Sequence, residues 1–106
     1  PQAELACSAA STAAHVYDCT VRLWRGGRPL DGVGVVAGAD MPSMPLAHAV
    51  RPVTAAPGKA PGEYTFRLAL EMRGQWAVKL RLSGPVREQL ILHYDFDGTG
   101  AAPARR

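Results

Sequence analysis

A chain of 106 residues, 47% apolar and 20% charged, is one domain long and has the make-up of a folded globule rather than a disordered tail. Its net charge of +3 is spread along the sequence and forms no basic, aromatic-interleaved patch, which argues against a nucleic-acid partner. No apolar run approaches the ~18 to 20 residues of a membrane span, so the segment is expected not to insert into a bilayer.

The opening residues 1–7 read as a mature N-terminus left by leader removal, although a chain trimmed to its domain would begin the same way. Helical periodicity is nearly absent and period-two alternation dominates. A short strand near residues 4–8 leads through an Ala-rich stretch to a strand over 15–24. There Tyr17, Cys19, Val21 and Leu23 alternate with Asp18, Thr20 and Arg22. Cys7 and Cys19 lie on these two strands, so a disulfide would staple the hairpin, worth roughly 2–3 kcal/mol in the chain-entropy view. The competing state is a reduced pair, packed as small hydrophobes or binding metal as thiolates. No Cys-x-x-Cys spacing suggests zinc or redox chemistry, and an oxidised pair suits a periplasmic or otherwise exported protein.

Gly26-Gly27-Arg28-Pro29 breaks the second strand. Residues 31–39 form a Val- and Gly-rich strand, and another is expected over 47–54. Residues 54–62 read as a surface loop or hairpin connection. Three clean alternations follow, over 63–70, 75–83 and 87–96, separated by turns at Arg73-Gly74 and Gly84-Pro85. They predict a consecutive antiparallel meander, with Phe66 and Trp76 anchoring the core. About seven short strands predict an all-β, immunoglobulin-like antiparallel sandwich, with a small barrel as the competing architecture. The domain is expected over 1–97, with 98–106 a disordered tail lacking apolar pattern.

Asp40-Met41-Pro42-Ser43-Met44-Pro45-Leu46-Ala47-His48 is the segment that carries chemistry. Pro42 suits the second position of a β-turn from Met41 to Met44, which would let two long thioether side chains converge on one ion. His48 could close such a site. Thioether sulfur is soft and favours Cu(I), while imidazole accepts Cu(I) or Cu(II). Zinc would want Cys, His or carboxylate in a tetrahedral set. Thioethers need no deprotonation, so they hold copper in acidic or oxidising surroundings. The plainer reading makes the methionines core gap-fillers and the prolines the shapers of a corner.

Three segments carry a family resemblance: Gly-Ala-Asp-Met-Pro-Ser-Met-Pro-Leu-Ala-His (38–48), Pro-Gly-Glu-Tyr (61–64) and Leu-Glu-Met-Arg-Gly-Gln-Trp-Ala-Val-Lys-Leu (70–80). Their order and spacing resemble the FixH-like/YtkA-like family of small exported β-sandwich domains, over roughly residues 15–96. The resemblance implies an immunoglobulin-like sandwich and a role in copper efflux, delivery or respiratory oxidase assembly. The partner would then be a membrane copper transporter or an oxidase subunit. Membrane-anchored relatives carry a transmembrane helix, absent from this segment.

Met72 precedes the Arg73-Gly74 turn and could add a third sulfur; strict alternation from Tyr64 puts it on the inward face. Trp76 is expected in the core, with a cation–π contact to copper as the lesser alternative. His15 and His93 are weaker ligand candidates. No Gly-x-Ser-x-Gly elbow, phosphate-cradling loop or His-Glu-x-x-His occurs, so no enzyme is expected. The sequence therefore predicts an exported copper-binding accessory using Met41, Met44, His48 and Met72. The alternative is a non-metal interaction module whose Met-Pro loop contacts a partner.

Overall fold

Period-two alternation gives each sheet one apolar face, and here two sheets bury those faces against each other. The structure, a computed structural model, describes residues 1–44 and 49–104. Ten strands follow in order among the described residues: β1 (Gln2–Ala9), β2 (Val16–Arg25), β3 (Arg28–Pro29), β4 (Gly34–Asp40), β5 (Val50–Thr54), β6 (Ala56–Pro57), β7 (Glu63–Ala69), β8 (Gly74–Ser83), β9 (Glu88–Phe96) and β10 (Ala101–Pro103). All pairings are antiparallel. The first sheet has the order β1-β2-β7-β6, with β3 added to β2; the second has the order β10-β9-β8-β4-β5.

The seven expected strands are all present as β1, β2, β4, β5, β7, β8 and β9; β3, β6 and β10 are the three short additions. Two expectations about strand pairing and the tail need correction. The three strands from 63 to 96 do not form one meander: β7 pairs with β2 in the first sheet, whereas β8 and β9 pair in the second. Residues 70–73 carry the chain between sheets. Alternation marks which face of a strand is buried, and in a sandwich either sheet satisfies it. The stretch 98–106 is not wholly without structure either. Residues 101–103 pair with β9 in register Ala101↔Phe96 and Pro103↔Tyr94, and Ala104 N–H donates to the His93 carbonyl at 2.9 Å. Backbone pairing to an open sheet edge needs no apolar pattern, so the composition of the tail did not reveal it.

The core holds the inward positions of both sheets. Trp76, Tyr17, Leu68, Leu80, Val21 and Val78 are fully shielded, and Phe66 is buried beside them. Tyr17 and Phe96 meet edge-on across the sheets, ring centres 5.0 Å apart. Cys7 and Cys19 are directly opposed in the β1–β2 register and joined as a disulfide. It closes a loop of sequence separation 12, and such a loop is worth roughly 3 kcal/mol.

Both sides of the sandwich are laced. On one side the chain leaves β5 in the second sheet and enters β6 in the first within a few residues, and Ala55 N–H donates to the Val35 carbonyl at 2.8 Å on the way. On the other side Ser8 bridges Gly100, and Ala9 N–H donates to the Thr99 carbonyl at 2.8 Å. The 97–100 turn that makes this bridge is tied by Asp97, whose Oδ1 accepts from Thr99 N–H, Thr99 Oγ1 and Gly100 N–H at 2.8 to 2.9 Å.

Candidate metal site

The methionine segment emerges from the end of β4, and the strand order places that end beside the start of β8. Asp40 is paired with Ala77 in register, and its Oδ2 accepts from Lys79 Nζ at 2.7 Å, which pins the last residue of β4 to the neighbouring strand. The next residue, Met41, continues the inward parity of Val35, Ala37 and Ala39, so its side chain enters the core and only 6% of it stays exposed.

Beyond Met41 the chain turns. Met44 N–H donates to the Met41 carbonyl at 3.0 Å, closing the four-residue turn that Pro42 predisposes. The two methionines then part in environment: Met44 is 45% exposed while Met41 is buried. His48 lies outside the described residues.

Met72 belongs to the crossing between β7 and β8. It was expected to face inward, but β7 ends at Ala69, so strand alternation no longer applies to it; it stands 39% exposed. Trp76, wholly buried, reaches back with its indole N–H and donates to the Met72 carbonyl at 3.1 Å. Gly74 begins β8 with φ of +140°, a conformation suited to glycine. A methyl group in place of its hydrogen would lie 3.0 Å from Met41 Cε. The Met41 methyl is therefore seated against the backbone of the turn that carries Met72. In this way the Met-Pro-x-Met segment from Met41 and the Met-x-Gly-x-Trp segment from Met72 become one end of the sandwich.

The Gly-x-Tyr segment does something different. Gly62 (φ +78°) donates its N–H to Asp31 Oδ1 at 3.3 Å, and its carbonyl accepts from Leu23 N–H at 2.8 Å. A Cβ there would sit 2.7 Å from the Leu23 carbonyl oxygen. Tyr64 OH donates to the Leu30 carbonyl at 2.7 Å and accepts from Val33 N–H at 3.1 Å, tying the chain between β3 and β4 to β7. These residues hold the fold. Gly74 was overlooked as part of the site, and only its place two residues after a methionine at a strand start hinted at it.

Of the other histidines, His93 lies exposed on the outer face of β9, opposite Ala77. His15 ends the β1–β2 connection, and its carbonyl accepts from Leu70 N–H at 2.9 Å, close in sequence to Met72. Among the described residues no cluster of three or more His, Cys, Asp or Glu side chains could hold a metal. The methionines at this end carry thioethers, a ligand type that suits soft ions more than hard ones.

The fold and this end define a small two-sheet β-sandwich with a methionine turn packed on a glycine-tryptophan strand start. The chain belongs to the YtkA-like family, whose profile matches residues 3–81 and so spans all three sequence segments. The match does not extend to the FixH-like part of the resemblance. No curated protein and no solved structure matches the chain.

Proposed function

We propose that the protein is an exported copper-binding accessory that carries Cu(I) at the Met44–Met72 end of the sandwich, with Met41 as the buried third sulfur and His48 as a further ligand. One observation carries this reading: Met41 Cε packs against Gly74, which joins the turn bearing Met44 to the turn bearing Met72. Exposed methionines in turns at the sheet end suit a cargo ion, because neutral sulfur ligands exchange without a proton. Membership of the YtkA-like family supports a copper-handling role, and the Cys7–Cys19 disulfide supports an oxidising compartment. The recipient would be a membrane copper transporter or an oxidase subunit, and the protein itself a binder and not a catalyst. Among the described residues no helix is long and apolar enough to cross a membrane.

The test is a Cu(I) titration of the disulfide-intact protein under inert gas, against a chromophoric chelator. One-to-one binding lost in the Met44→Leu/Met72→Leu double variant is expected. Both positions are exposed, so that variant keeps the fold; unchanged affinity would overturn the reading. The exposure of Met44 and Met72 equally favours a partner-docking surface, which predicts partner capture that a Cu(I) chelator leaves untouched.

A further inference from the structure

At the same end of the sandwich one side chain stands out by its backbone and by its ring. His15 has φ of +60°, and it is the one non-glycine residue with positive φ among the described residues. Left-handed backbone is uncommon outside glycine, although histidine, like asparagine and aspartate, enters it more readily than most side chains. Its Nδ1 is shielded from solvent and has no hydrogen-bond partner, alone in this respect among the described side-chain nitrogens and oxygens. Buried polar atoms are ordinarily paired, so an orphaned ring nitrogen on a strained residue asks for a reason.

The fold supplies a position for that reason. Val16 pairs with Ala69, so His15 stands beside Leu70, whose N–H it accepts at 2.9 Å. Met72 follows two residues later, in the turn against which Met41 is seated. His93, on the outer face of β9 opposite Ala77, does not share this placement.

We propose that His15, through the unpaired Nδ1, is a nitrogen ligand of the soft metal ion carried at the methionine end. A neutral imidazole keeps one ring nitrogen free as a lone-pair donor, and imidazole beside thioether is a donor set suited to Cu(I). The inference rests on the copper reading above and adds to it a ligand from the first sheet. The ion would then link the two sheets at this end.

The test uses protein labelled with nitrogen-15 in histidine and titrated with Ag(I), a diamagnetic stand-in for Cu(I). Long-range proton–nitrogen spectra resolve the imidazoles, and His15→Asn, which keeps a residue tolerant of left-handed backbone, assigns the His15 signals. At one equivalent of Ag(I), the His15 Nδ1 resonance is expected to move far more than either nitrogen of His93. His15→Asn should weaken Cu(I) binding by at least the roughly tenfold that loss of even an indirect partner costs. If Ag(I) binds while His15 stays unmoved, with His48 or no imidazole responding, the inference falls and the methionine site stands. If Ag(I) and Cu(I) do not bind at all, both fall. Should His15→Asn not fold, the nitrogen shift in the unaltered chain decides alone.

Discussion

Replacing Gly74 with alanine tests whether the start of β8 is the seat on which the methionine turn rests. The substitution has two separable costs. Alanine at φ +140° is strained whatever its surroundings, on the order of 1–3 kcal/mol. Its Cβ would also arrive 3.0 Å from Met41 Cε, so the methyl end of Met41 must shift by a few tenths of an ångström inside a core with little free volume. Each kcal/mol lost lowers the melting temperature by about 4–8 °C in a domain near this size. The assay pairs thermal unfolding with NMR of methionine methyl groups, of which the chain has three. The Met41 signal should move, with Met44 and Met72 following less. In a Met41→Ala background the contact no longer exists, so Gly74→Ala should there cost only its backbone share. The two changes should show a coupling of at least about 0.5 kcal/mol. Strict additivity, or a Met41 methyl that does not respond, would refute the claim that Met41 and Gly74 are in contact.

Tyr64→Phe removes a buried hydroxyl that both donates to Leu30 and accepts from Val33 N–H. It should cost about 1–3 kcal/mol in denaturant unfolding, with no change in metal affinity at the far end. Asp97 is held low, at a pKa of about 2 against 3.8, by hydrogen bonds from Gly100 N–H and then from the Thr99 N–H and hydroxyl. Its stabilising contribution is therefore complete above pH 3.8 and lost as pH falls towards 2. A carboxyl carbon titration should place its midpoint near the lower value, and Asp97→Asn should flatten the acid limb of stability over that window; a midpoint at 3.8 would contradict the turn described for 97–100.

The methionine end also shows how the family's segments divide their labour. Gly62 and Tyr64 brace the chain between β3 and β4 and face away from the site's chemistry. Trp76 is both core and brace, since its buried indole holds the carbonyl of Met72. Met41 is core as well as candidate ligand, whereas Met44 and Met72 are exposed. A conservative Met41→Leu change would keep most of the packing, as volume-conserving swaps generally do. It separates the structural from the ligating use of that side chain.

The sequence by itself determined seven of the ten strands among the described residues, their buried faces, the cysteine hairpin and the turn from Met41 to Met44. These are local properties: period-two alternation sets the face, Gly and Pro break it, and a proline's fixed φ shapes one turn. It also placed Met41, Met44, His48 and Met72 as candidate ligands by their chemistry. Only the tertiary structure decided which sheet each strand joins, because the same alternation satisfies either. The crossing at 70–73 sent β7 and β8 to different sheets and left Met72 exposed. The structure likewise decided that Met41 is buried against Gly74 and that residues 101–103 pair with β9. It set His15 at the methionine end with an unpaired nitrogen. Each of these depends on contacts between residues far apart in the chain, and such contacts are fixed by packing and sheet-edge pairing, which leave no periodic trace in the sequence.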